Sequence, residues 1–111
     1  MLFRSNFAFS VQATNSDTQN HDVDVFFRKN GSPLANSASV FTVLSTHGGQ
    51  PGYQVTAANI FIQLQPTDYV EMYWSTNSTQ VQLNYLPAIT TPFISPGALS
   101  VILTAQFVSA L

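Results

Sequence analysis

Apolar and polar residues alternate with a period of two in several segments of this chain, and turn residues separate the segments. Val23, Val25 and Phe27, for example, alternate with Asp22 and Asp24. Successive side chains of a β-strand point to opposite faces, so this alternation predicts strands with one buried and one exposed face. The pattern predicts strands at residues 7–14, 22–27, 32–34, 40–44, 54–65, 69–75, 80–86 and 98–108.

The turn residues between these segments favour antiparallel pairing. Asn30-Gly31 is the strongest short hairpin signal, because both central positions of a type I′ turn need a positive φ. Pro66 suits an early position in the turn before Tyr69. No helical period persists along the chain. Short strands with frequent turns indicate an all-β antiparallel sandwich.

Charge is scarce in this sequence. Charged residues make up 7% of the 111 residues, with 3 Lys and Arg against 5 Asp and Glu and a net charge of −2. Three basic residues cannot neutralise a run of phosphates, so we expect no nucleic acid partner. Without cysteine the chain has no disulfide framework, zinc ribbon or iron–sulfur site. Surface helices need Glu, Lys and Arg, so their scarcity again favours an all-β domain with a Ser, Thr, Asn and Gln surface.

The length suits a single domain with one core. Its apolar runs are far shorter than a membrane span, so we expect no membrane insertion. The first residues raise a separate question, because Leu2-Phe3-Arg4-Ser5 matches the translation of the end of a widely used sequencing adapter. We predict that residues 1–5 are adapter-derived or disordered and that residues 6–111 form one domain. On this hypothesis the natural chain extends further before Asn6.

Few side chains of this sequence are suited to catalysis or metal binding. His21 next to Asp22 and Asp24 suggests a base with its carboxylate, but no partner nucleophile in a G-x-S-x-G elbow is present. A loop histidine that ties down the start of a strand is the favoured interpretation. His47 could join these three residues around a metal, or Asp17 could join the two aspartates around Ca²⁺, although no known ligand spacing occurs. We expect a non-enzymatic protein with no cofactor and no intrinsic metal.

Four aromatic residues suggest a sugar-stacking platform: Tyr53, Tyr69, Tyr73 and Trp74. Alternation places Trp74 inward together with Val70 and Met72, which predicts core packing for it. Tyr69 and Tyr73 share the other face with Glu71. They are therefore the better candidates for an interface or a glycan contact.

The run from residue 15 to residue 75 resembles a domain of virion structural proteins from marine tailed phages. The resemblance rests on TQNHDVDVFFRKNG at 18–31, HGG at 47–49 and YVEMYWST at 69–76. That domain is in turn similar to the C1q/TNF-like jelly roll, in which a strand ends at a Lys-Asn-Gly hairpin and a later strand ends in Leu-Gln-x-Gly-Asp. Here the later motif becomes LQPTDYV at 64–70, with Thr67 in place of the usual glycine. The chain is also shorter than a C1q head.

The resemblance implies a C1q/TNF-like jelly-roll sandwich of about eight to ten strands that assembles as a homotrimer. The last predicted strand is apolar on both faces, and such a strand lies centrally in a sheet or at a subunit contact. We predict that the trimer interface includes Phe61, Tyr73, Ile102 and Val108.

The function that the resemblance implies is structural. We expect a phage virion protein on the particle exterior, the terminal domain of a tail fibre or appendage, which contacts other virion proteins and a host cell-surface glycan or protein. The predicted surface contacts are His47, Tyr53, Tyr69 and Asn77. Two alternatives stay open at this point. One is a capsid decoration protein, and the other is a carbohydrate-binding module of a larger protein.

Overall fold

A computed structural model describes residues 1–110 and confirms the all-β prediction. The described residues form eight strands: β1 (Phe3–Asn15), β2 (His21–Lys29), β3 (Ser32–Pro33), β4 (Ser39–Val43), β5 (Gly52–Leu64), β6 (Val70–Thr76), β7 (Val81–Leu83) and β8 (Val101–Ala110). Every strand pairing among them is antiparallel. No helix able to cross a membrane occurs in residues 1–110.

The strands form two antiparallel sheets of four strands each, which build a sandwich. In sheet A, β1 is central, β5 pairs with one edge of it, and β8 and β7 pair end to end with its other edge. In sheet B, β2 is central, β6 pairs with one edge, and β3 and β4 share the other. The two central strands carry six of the ten buried apolar residues in the described part of the chain.

The core lies between β1 and β2, as the alternation predicts. Val11 on β1 and Val23, Val25 and Phe27 on β2 are completely buried. The ring of Phe27 meets the ring of Phe9 edge-on, with 5.9 Å between centroids. Burial of these side chains is the main source of stability, at about 1.5 to 3 kcal/mol for each large apolar side chain.

Two local features shape the edge of sheet B that β3 and β4 share. Asn30 and Gly31 have φ values of 53° and 84°, which confirms the predicted hairpin turn. Residues 34–38, between β3 and β4, leave the strand ladder, and the buried hydroxyl of Ser37 bonds to Phe27 in place of a strand residue. Its oxygen accepts a hydrogen bond from the Phe27 N–H at 3.0 Å and donates to the Leu34 carbonyl at 2.7 Å. The Phe27 N–H therefore has a hydrogen-bond partner, although neither β3 nor β4 pairs with Phe27.

Residues 84–100 form an excursion, here called the arm, that interrupts the edge of sheet A. Its two ends attach to the same residue of β1, because the Gln12 N–H donates to the Ser100 carbonyl and the Gln12 carbonyl accepts from the Asn84 N–H. Within the arm, reciprocal backbone hydrogen bonds join Leu86 to Ala98 and Ile89 to Ser95. The predicted strand at 80–86 is therefore shorter, and the segment after it is paired.

Two expectations about burial need correction. β8 is not central, because it pairs with β1 alone and occupies an edge. Trp74 lies opposite Val25 and so shares its inward direction, but 39% of the Trp74 side chain remains exposed. Period-two patterning reports the face of a strand and not whether the opposite sheet covers it. At the N-terminus, residues 3–5 belong to β1, while their origin stays a prediction.

Candidate functional site

At one end of the sandwich, the side chain of Asn15 joins the loop between β1 and β2 to the last residue of β4. Asn15 is completely buried, and its Nδ2 donates to the carbonyls of Gln19 at 2.8 Å and Val43 at 3.2 Å. Its Oδ1 accepts from the Asp17 N–H at 2.9 Å. The Thr46 N–H then donates to the Asp17 carbonyl. The Asn15 amide thus fixes the β1–β2 loop, and Asp17 of that loop is bonded to the segment that carries His47.

His21 joins this end to the β6–β7 turn. Its Nε2 is 2.6 Å from Asp17 Oδ2 and its Nδ1 is 3.2 Å from Asn77 Oδ1. The hydrogen bond from His21, followed by that from the Thr18 N–H, holds the pKa of Asp17 below its ordinary value. The ring therefore ties the start of β2 to two loops, which is the favoured interpretation. Asp22 instead accepts a hydrogen bond from Thr42, so the proposed base with its adjacent carboxylates does not form.

The metal alternatives find no support in the geometry. Among residues 1–110, no group of three or more His, Cys, Asp or Glu side chains is placed to hold an ion. His47 lies apart in a tight turn, where its N–H and carbonyl pair reciprocally with Gln50. Gly48 and Gly49 supply the positive φ values of this turn, 55° and 78°. The turn presents His47 to solvent.

Tyr53, one of the predicted contact residues, lines a groove of about 510 Å³ between the arm and sheet A. The other lining residues include Gln12, Leu86, Ile89, Phe93 and Pro96, and none of the residues that line the groove is charged. Residues of the arm, whose backbone is paired, form one wall of the groove. Its size and its few polar groups are typical of sites for small neutral molecules.

Tyr69 lies at the opposite end of the sandwich from His47. Its N–H donates to Asn30 Oδ1 at 3.0 Å, while the Asn30 amide donates to Asp68 Oδ1 at 2.8 Å. The Asn30 side chain, followed by the Gln65 N–H, lowers the pKa of Asp68 from its ordinary value. The four predicted contact residues therefore do not form one site. His47 and Asn77 share an end with the nearby Tyr53, and Tyr69 is separate.

The predicted interface residues also lie on two different surfaces. Tyr73 is on the outer face of sheet B, where its ring stacks on Phe26 at 5.9 Å and lies under the Arg28 guanidinium at 4.6 Å. Phe61 and Ile102 lie on the outer face of sheet A, because they pair with outward-facing residues of β1. Val108 is the extra residue at a β-bulge near the end of β8.

Other exposed apolar residues were not among the sequence-based candidates. Leu103 and Phe107 of β8 are 45% and 62% exposed, and Phe93 and Ile94 stand out at the tip of the arm. Alternation alone assigns Leu103 and Phe107 to a core, which is why they are missed. A better signal is charge: no charged residue occurs from Met72 to Leu111.

Comparison with known proteins adds no relative: no protein-family model, no curated protein and no solved structure matches this chain. The fold and surfaces define the class on their own. The chain is an all-β protein, an antiparallel two-sheet sandwich with an uncharged groove and extensive exposed apolar surface.

Proposed function

We propose that this chain is a non-enzymatic structural domain of a tailed-phage virion, the terminal domain of a tail fibre or appendage that attaches to a host surface as a homotrimer. The phage assignment is supported by the sequence resemblance over residues 15–75. The structural support is one observation: the single chain exposes more surface than a compact monomer of its size, and many large apolar side chains lie on that surface.

That excess is measurable. The chain exposes 7000 Å² of surface, whereas a compact monomer of 12.1 kDa exposes roughly 6,000 Å². Its radius of gyration is 16.6 Å, against roughly 13 Å for a compact domain of this length. A stable interface buries about 800 Å² of each partner. The extra surface is thus of the size that one standard subunit contact covers.

Attachment to a host surface is supported by the groove that contains Tyr53. A tyrosine ring can stack on the apolar face of a sugar, and the Gln12 amide offers both a donor and an acceptor to its hydroxyl groups. A neutral groove attracts no charged ligand from a distance. Three copies on one appendage would compensate through effective concentration, so weak individual contacts suffice.

Genomic context and binding together test this function. Terminase, portal and tail genes next to the gene for this chain support a virion protein, and their absence argues against it. On an array of neutral glycans, we expect Tyr53→Ala to remove the signal of the wild-type protein. Tyr69→Ala, at the opposite end of the sandwich, is the matched control and should retain it.

The groove also favours a second candidate function, a carbohydrate-binding module of a larger protein. Both functions use the same Tyr53 contact, so glycan binding alone does not separate them. Glycosidase domains encoded in the same gene would identify the module. A capsid decoration protein, the other alternative, would bind capsid shells in a pull-down, whereas a fibre domain would not.

A further inference from the structure

Strand β8 has an unusual position for so apolar a segment. It lies at the edge of sheet A and pairs only with β1 among the described strands. Side chains on both of its faces are exposed, including Ile102 on one face and Leu103 and Phe107 on the other. Its outer edge carries unpaired backbone groups as well, so three sides of this strand face solvent.

One face of β8 continues the inward-facing side of sheet A. Leu103 lies opposite Phe9 of β1, so the two side chains point to the same side of sheet A, and Phe9 is buried in the core. Phe107 continues this row, with its ring centroid 6.0 Å from that of Phe3. Because Leu103 and Phe107 are nevertheless exposed, sheet B does not cover β8. The core is open along this strand.

Along most of its length, β8 lacks the features that protect edge strands from association. Natural proteins shield long edge strands with charged residues, proline or a covering segment, but β8 contains neither charge nor proline. The only irregularity is the bulge near its C-terminal end. An exposed strand of this kind is a contact surface.

The character of the surface identifies the partner. The segment from Met72 to Leu111 carries no charge that could select a partner of opposite sign, and a neutral surface also does not repel its own copy. The excess of about 1,000 Å² over a compact monomer matches what one subunit gives up in a stable contact. These properties fit a second copy of the same chain.

We infer that a second copy of this chain covers β8 and completes the core there, so that folding and assembly are coupled. The inference rests on the self-association in the proposed function and names its surface, but it does not depend on the phage assignment. It also adds a role for Leu103 and Phe107, which a contact between two finished sandwiches would not require.

The test compares Leu103→Asn with Leu44→Asn in the full chain. Leu44 is also exposed but follows β4, away from β8, which makes it a matched control. Sedimentation and thermal unfolding are measured from about 1 µM to about 100 µM protein. For the wild type we expect a Tm that rises by about 3 to 5 °C for each tenfold increase in concentration.

In Leu103→Asn we expect the dissociation constant to rise about 10- to 100-fold and the Tm to fall below that of the wild type at every concentration. Leu44→Asn should behave as the wild type. Ile102→Asn, on the other face of β8, provides a second variant and should also weaken association if Leu103→Asn fails to fold.

Two results would overturn the inference, and they are distinguishable. If both β8 variants associate as tightly as the wild type, β8 is not the contact, while self-association and the proposed function stand. If the wild type is monomeric throughout the range with a constant Tm, both the inference and the trimeric function are wrong.

Discussion

Replacing Asn15 by alanine should strongly destabilise the fold, because this buried amide holds the β1–β2 loop against the end of β4. The change removes three hydrogen bonds, to the Gln19 and Val43 carbonyls and from the Asp17 N–H. Each contributes about 1 kcal/mol net. We therefore expect the free energy of unfolding to fall by about 2 to 4 kcal/mol, a large part of the 5 to 15 kcal/mol that is typical of a domain.

Equilibrium urea unfolding, followed by the fluorescence of the single tryptophan, Trp74, measures this loss. All variants should be compared at one protein concentration, because association also contributes to stability. Asn59→Ala, at an exposed position of β5, is the control and should change the free energy of unfolding by less than about 0.5 kcal/mol.

A charge variant separates the role of hydrogen bonding from that of packing. Asn15→Asp keeps the shape of the side chain but replaces the donor that serves two carbonyls with a carboxylate oxygen. At neutral pH we expect the free energy of unfolding to fall at least as far as in Asn15→Ala. In acid the decrease should be smaller, because a protonated carboxyl group donates one hydrogen bond. An Asn15→Ala protein as stable as Asn59→Ala would refute the reasoning.

Two further predictions concern the close backbone contact at Gly52 and the pH dependence of stability. Gly52→Ala should destabilise the fold by at least about 2 kcal/mol in the same urea assay, because a Cβ there would overlap the Leu44 carbonyl; a neutral effect would contradict this packing. The lowered pKa of Asp68 means that its contribution to stability is present above its ordinary value of 3.8 and is lost as pH falls through the lower folded pKa. Asp68→Asn should therefore flatten the pH dependence of the unfolding free energy below pH 3.8. An unchanged pH profile would contradict this role of Asp68.

The elements that local chemistry determines were predictable from the sequence. Alternation identified the buried face of β2, and Asn30-Gly31 identified its hairpin, because side-chain direction and turn conformation depend on neighbouring residues only. Pairing over long distances was not predictable in this way. The return of the arm to Gln12 and the edge position of β8 depend on which strands meet, which no local period encodes.

In the candidate site, too, local features were predictable and long-range contacts were not. Sequence reasoning selected Tyr53 as an exposed aromatic, and the structure places it in a groove, but the arm residues that form the other wall were not selected. Asn15 was also missed, since it reads as an ordinary loop asparagine until the fold surrounds it with backbone groups. Leu103 was missed for the opposite reason, because its apolar character suggested a closed core.

Self-association is the central claim, and the mass of the wild-type protein in solution tests it most directly. Size-exclusion chromatography with light scattering should give about 36 kDa, three times the 12.1 kDa of one chain. A trimer that persists on dilution to micromolar concentration is the predicted result. A mass of 12.1 kDa at every concentration would contradict the account.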